Sequence, residues 1–158
     1  MMERRLNFAE ASPAAMKAML TLSAQARQSG LEKALLELVK MRASQINGCA
    51  FCLDMHSKDA RAAGETEQRL YLLDAWRETD LYSPRERCAL AWTEALTLIS
   101  ETHAPDAVYE DLRRQFSERE IADLTLAIVA INGWNRICVG LRTPAGTYEA
   151  GESRSVAI

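Results

Sequence analysis

An all-α domain of six or seven helices is the fold class this sequence predicts, on three observations. Apolar residues recur at helical spacing through most of the 158 residues. Two Ser-x-x-Glu capping boxes open the longest apolar stretches. No segment alternates apolar and polar residues in the manner of a strand. With 48% hydrophobic residues the chain can bury a substantial core, so one domain over residues 1–158 is expected.

The first helix should run from Pro13 to Gln28, where Met16, Met19, Leu20 and Ala26 recur near helical period and Gly30 offers a stop. Leu31, Ala34, Leu35, Leu38 and Val39 then form an i, i+3, i+4, i+7, i+8 stripe. It ends at Asn47-Gly48, residues that tolerate the left-handed conformation of a helix C-terminus. A third helix should carry Cys52 and His56 as far as Gly64, and a shorter one should cover Glu67 to Ala75. Ser83-Pro84-Arg85-Glu86 opens a helix to about Ser100, with proline at the first helical position. Pro105 to Gln115 reads as a short helix, and Ser117-Glu118-Arg119-Glu120 starts a long one to about Leu141. The tail from Thr143 to Ile158 is rich in Gly, Ser, Thr and charge and is expected to lie extended, across a neighbouring subunit if there is one.

The chemistry concentrates where the second helix meets the third. Cys49-Ala-Phe-Cys52-Leu-Asp-Met-His56 places two thiols and an imidazole at i, i+3 and i+7, on one helical face. A free thiol with a pKa of about 8.5 is mostly protonated at neutral pH, so dithiol chemistry needs something to lower it. The partial positive charge of a helix start, the second thiol and His56, one turn from Cys52, are the available sources. Cys52 is the best candidate nucleophile and Cys49 the thiol that resolves its oxidised form. By the logic of thioredoxin-like pairs, Cys49 could instead be the exposed attacker that engages a protein disulfide.

Glu37, eleven residues, Cys49-x-x-Cys52, three residues, His56: this spacing resembles the signature of the alkylhydroperoxidase D (AhpD-like) family, within the carboxymuconolactone decarboxylase superfamily. Ser83 to Ala95, and Ile131-Asn132-Gly133-Trp134-Asn135-Arg136, resemble later helices of its single-domain branch, so the likeness covers roughly residues 13 to 142. It implies an all-α fold with the Cys-x-x-Cys at the start of a central helix, and catalytic roles for Cys49, Cys52, His56 and Glu37. The implied activity is hydroperoxide reduction, with a lipoyl-bearing protein as dithiol reductant, sometimes beside a peroxiredoxin, in a trimeric or hexameric homo-oligomer. No cofactor is implied. One position departs from the pattern: Phe51 stands where the best-known mycobacterial member has a second histidine, which weakens proton delivery.

Helix geometry is compatible with the role given to Glu37. It lies roughly 15 Å below the turn at Gly48 and His56 about 12 Å beyond it, so an antiparallel helix hairpin would bring the two to matching depth. The resulting relay runs from Glu37 to His56 to Cys52. Zinc held by Cys49, Cys52, His56 and Glu37 is the competing expectation, disfavoured because closed structural zinc sites rarely use a carboxylate and no second cysteine pair is present. Three further functions compete with a peroxidase: a protein disulfide reductase, a thiol sensor, and a lactone decarboxylase. The last would leave the cysteine pair without a task.

The remaining polar residues carry weaker signals. Cys88 and Cys138 lie in apolar helical surroundings and read as core residues. Asn132, Trp134, Asn135 and Arg136 are expected to fix neighbouring loops or subunits, and His103 to be a solvated loop residue. Arg85-Glu86-Arg87 and Arg113-Arg114 read as solvated charge. A formal charge of −3 provides no broad basic surface for nucleic acid or for an anionic membrane. The N-terminus lacks an apolar signal core, and the longest apolar run near the end, Ala127 to Ile131, is too short to span a bilayer, so a cytoplasmic protein is expected.

Overall fold

The computed structural model describes residues 3–151, which are mainly helical with no strand among them. The helices are α1 (Phe8–Ala11), α2 (Pro13–Arg27), α3 (Lys33–Asn47), α4 (Ala50–Ala62), α5 (Glu67–Tyr71), a 3-10 helix (Leu73–Glu78), α6 (Pro84–Thr97), α7 (Ile99–Thr102), α8 (Asp106–Arg113) and α9 (Glu118–Leu141). All seven expected helices are present. The stretch expected as one helix from Glu67 divides at Leu72 into α5 and the 3-10 helix. The one expected to reach Ser100 breaks at Leu98, and α7 follows. α1 and α7 are single turns, too short to generate an apolar period.

Both capping boxes form. Ser83 Oγ accepts from the Glu86 backbone N–H while the Glu86 carboxylate accepts from the Ser83 N–H, and Ser117 and Glu120 repeat the arrangement at α9. Each such cap is worth about 1 kcal/mol.

α3 organises the core because it buries residues in all directions. Leu35, Leu36 and Val39 join Ala89, Trp92, Leu124 and Ile128 in one cluster. Leu38 and Met41 join Leu70, Leu73, Trp76 and Leu90 in a second. Ala43, near its end, joins Cys49, Phe51, Cys52, Met55, Ile131, Trp134 and Cys138 in a third. α4 folds back along α3, as the hairpin argument requires, and α9 closes against α2, α3, α4 and α6. By length and composition α9 is long and apolar enough to cross a membrane. Here it buries Ile121, Leu124, Ala127, Ile128, Ile131, Trp134 and Cys138 within the fold.

The expectation about charge changes, and the described part of the tail finds contacts within the chain. Arg85, Glu86 and Arg87 are not simply solvated: Arg85 bridges Glu32 at 2.8 Å and Glu120 at 2.6 Å, and Glu86 pairs with Arg69 at 2.6 Å. Arg87 donates to the carbonyls of Trp76, Arg77 and Thr79. A charged run at a helix start thus ties α6 to α3, α5 and α9, because the planar guanidinium can serve several acceptors at once. Residues 143–151 are non-helical, but they pack on α4 of the same chain. The buried Tyr148 donates its hydroxyl to Asp59 at 2.7 Å and accepts from Lys58 Nζ at its carbonyl. The rest of the expected tail lies outside the described residues.

Candidate functional site

The site is built at the turn between α3 and α4. Gly48 takes the left-handed conformation, φ +63° and ψ +36°, that ends α3 and reverses the chain. A side chain is disfavoured in that conformation, which explains the Asn-Gly at this point. The turn is held from outside by amides. Asn47 Nδ2 donates to Asn132 Oδ1 at 3.0 Å and Asn135 Oδ1 at 2.9 Å, and Asn135 Nδ2 donates to Ser44 Oγ at 3.0 Å. Asn132 and Asn135 thus do what the sequence suggested of them, fixing α3 to α9.

Cys49 is the N-cap of α4, and its sulfur accepts the backbone N–H of Cys52 at 3.4 Å. The two Sγ atoms are 2.6 Å apart, and both residues are almost fully buried. Hydrogen bonding from the Cys138 thiol, then from the Cys52 thiol, holds Cys49 far below the ordinary thiol range; burial opposes this, and the Cys52 backbone N–H and the Asn135 amide assist. Cys52 is pushed the other way, by its hydrogen bonds to Cys138 and Cys49 and by burial. The opposite shifts favour Cys49, at the helix start, as the sulfur that ionises first.

The relay partners meet as the hairpin geometry suggested. His56 Nδ1 lies 2.7 Å from Glu37 Oε2, and Lys40 Nζ donates to Glu37 Oε1 at 2.7 Å. Burial of Glu37 works against its charge, but the hydrogen bond and charge of His56, followed by those of Lys40, outweigh it and bring the carboxyl down to about 2. The ionised Glu37 accepts from His56 Nδ1 and so fixes the orientation of the ring. Lys40 was not singled out from the sequence, although its i+3 spacing from Glu37 is visible there.

Cys52 and His56 share the wall of a small, mostly apolar cavity with Phe51, Met55, Ile131, Trp134 and Cys138, and Lys40 lines it too. Its volume of about 30 Å³ is room for one or two water-sized groups, enough for a peroxide O–O unit. Cys49 does not line it. Phe51, at the position of the absent histidine, supplies apolar wall. Trp134 is fixed by donating its indole N–H to Ser23 Oγ at 2.7 Å.

The candidate metal ligands separate into two groups. The sulfurs of Cys49, Cys52 and Cys138 lie within 4.8 Å of one another, and ligand atoms of Glu37, His56 and Asp59 form a second such group. Tetrahedral zinc with bonds of about 2.3 Å would hold its sulfurs roughly 3.8 Å apart, so the 2.6 Å pair suits sulfur–sulfur chemistry better than a metal. Cys138, read from sequence as core, is indeed buried, yet its sulfur belongs to the same cluster as those of Cys49 and Cys52. Its distance of 86 residues along the chain concealed this. Cys88 is half-buried and packs beside the Trp92 cluster, and His103 is exposed at the end of α7.

Comparison with known proteins gives a consistent set of likenesses. The model of the Carboxymuconolactone decarboxylase family matches residues 13–95. The uncharacterized protein YdfG of Bacillus subtilis (strain 168) is 44% identical over 146 residues, 92% of this chain and 99% of its own. The uncharacterized protein YnjA of Escherichia coli (strain K12) is 32% identical over 82% of this chain and 71% of its own. A crystal structure from Agrobacterium tumefaciens, of a protein of unknown function described as a candidate antioxidant defence protein AhpD, superposes with a TM-score of 0.90. It is 49% identical and the match covers 92% of this chain and all of that one.

Proposed function

Because the chain belongs to the carboxymuconolactone decarboxylase family, on its AhpD-like side, we propose that it is a dithiol peroxidase that reduces alkyl hydroperoxides in antioxidant defence. The observation that carries this reading is the cavity itself: Cys52 and His56 face one small apolar space, with Glu37 hydrogen-bonded behind the imidazole.

The peroxide enters the cavity and meets Cys52. The Cys52 proton passes to His56, whose charged form Glu37 stabilises, in the same step as the Cys52 sulfur attacks one peroxide oxygen, so the buried pair never holds two thiolates. The O–O bond breaks; the departing alkoxide takes the proton from His56 and leaves as alcohol, and Cys52 becomes a sulfenic acid. Cys49, favoured as the thiolate and 2.6 Å away in the resting pair, attacks the Cys52 sulfur and closes a disulfide; the hydroxyl leaves as hydroxide and takes a proton from solvent to become water. A dithiol such as dihydrolipoamide then restores both thiols by two exchange steps, with its own oxidation to a cyclic disulfide. Such a cycle needs its thiols kept reduced, which suits a cytoplasmic setting.

Burial of both sulfurs favours small peroxides over protein disulfides as the oxidising substrate. The test is steady-state consumption of tert-butyl and cumene hydroperoxide with dihydrolipoamide. The native protein turns over, Cys52→Ser loses turnover, and Cys49→Ser loses most of it. A native protein that forms and reverses its disulfide without consuming hydroperoxide would instead be a partner-specific reductase or a sensor.

A further inference from the structure

We propose that Cys138 is a third redox-active thiol, which closes a disulfide with Cys52 whenever Cys49 is occupied. This rests on the dithiol reading of the site but not on the identity of its oxidant.

The placement argues for it. Cys138 sits on the inner face of α9, three residues beyond the Asn135 that anchors the α3 end, so the amide network holding Cys49 also sets the position of Cys138. All three sulfurs lie within 4.8 Å of one another. Cys52 and Cys138, but not Cys49, line the cavity in which a sulfenic acid on Cys52 would form. A cysteine that served only as a small apolar filler would need no sulfur neighbours. Beside the Cys49 anion, Cys138 is pushed up to about 12, chiefly by its hydrogen bond to Cys49, so it stays a thiol while the resting pair is intact.

The need arises during reduction. While the reductant is bound to Cys49 as a mixed disulfide, Cys52 is free and can meet a second peroxide, and its sulfenic acid has no partner in Cys49. Without another thiol the next oxidant carries it to sulfinic acid, which is not recovered by simple thiols. Cys138 prevents this: its sulfur bonds to the Cys52 sulfur, the sulfenic hydroxyl leaves with the Cys138 proton as water, and no further reactant is consumed. When Cys49 is released as a thiolate it attacks Cys52, expels Cys138, and restores the Cys49–Cys52 disulfide.

The experiment uses the full chain with Cys49→Ser and Cys88→Ser together, leaving Cys52 and Cys138. One equivalent of cumene hydroperoxide, or separately of diamide, is added; diamide takes two electrons and two protons from a thiol pair without any peroxide chemistry. Intact mass and a non-reducing peptide map are then recorded. The expected result is loss of two hydrogens and a Cys52–Cys138 cross-linked peptide as the main product with either oxidant. Closure by diamide alone, with no hydroperoxide turnover by the native protein, supports the third thiol and removes the peroxidase reading. Native turnover together with a dimedone-trapped or over-oxidised Cys52 and an alkylatable Cys138 overturns the third thiol. If the double variant does not fold, the Cys88→Ser protein provides the decision. Adding Cys138→Ser to it should lower the peroxide dose for half-inactivation by about threefold, with more Cys52 sulfinic acid. An unchanged dose and sulfinic yield overturn the proposal.

Discussion

Glu37 carries a single charge that bears on both the proposed chemistry and the acid stability of this protein. Its carboxyl is brought down from 4.5 to about 2 by His56 and Lys40 despite its burial. A carboxyl with a depressed folded-state pKa contributes stability above its unfolded value, and this is lost as pH falls from about 4.5 towards 2. The amount is on the order of 3 kcal/mol. Glu37→Gln should therefore lower stability at neutral pH and flatten the acid limb of a urea-midpoint profile between about pH 5 and 2. It should also reduce hydroperoxide turnover by about 10- to 100-fold, because His56 keeps its base but loses the group that orients it and supports its charge. At this scale the sequence carried much of the site. Cys49, Cys52 and His56 were legible from spacing, and the depth of Glu37 followed from helical rise. Lys40 was hidden because a lysine on a helix usually reaches solvent, and nothing local signals that this one is 7% exposed and paired inward. Cys138 was hidden because its own neighbours along the chain are apolar, and only the approach of α9 to the α3–α4 turn reveals its sulfur partners.

Among the elements, the α3–α4 turn has the greatest effect on the site, since it decides where Cys49 stands relative to the start of α4. Gly48 has nothing within 4 Å of where a Cβ would sit, so Gly48→Ala costs only the left-handed backbone, about 1 to 2 kcal/mol. Urea unfolding should show that loss, and Gly48→Asn should recover part of it because asparagine tolerates the conformation better. The long helices were legible because they carry explicit starts and stops: Pro84 and Ser83, Ser117 and Glu120, Asn47 and Gly48. The single turns α1 and α7 and the kink at Ala75 within the 3-10 helix were not. Their conformations depend on what the chain must connect, and four to six residues cannot display a period that would announce them.

For the molecule as a whole, α3 sets the arrangement, because the same fifteen-residue helix contributes to all three apolar clusters and carries Glu37 between them. The all-α class followed from periodicity, whereas the order of packing did not: a helix stripe states that one face is buried without stating against what. Assembly is a separate matter, argued from family likeness and from large apolar residues left at the surface, Ile99, Val129 and Val139 among them. A homo-oligomer is our proposal, and light scattering should give a mass that is a trimeric or hexameric multiple of 17.6 kDa. The indole of Trp134, pinned by Ser23 and facing the cavity beside Cys52 and Cys138, has an optical consequence. Trp76 and Trp92 belong to the other two clusters, so an emission change on oxidation arises mainly from Trp134. Sulfur in a disulfide accepts excitation energy and electrons from a nearby indole more readily than a thiol does, so stopped-flow mixing with peroxide should dim the fluorescence and dihydrolipoamide should restore it. For the proposed cycle the protein then contains its own unlabelled reporter of each half, and Trp134→Phe should remove most of the signal while the chemistry is followed by mass.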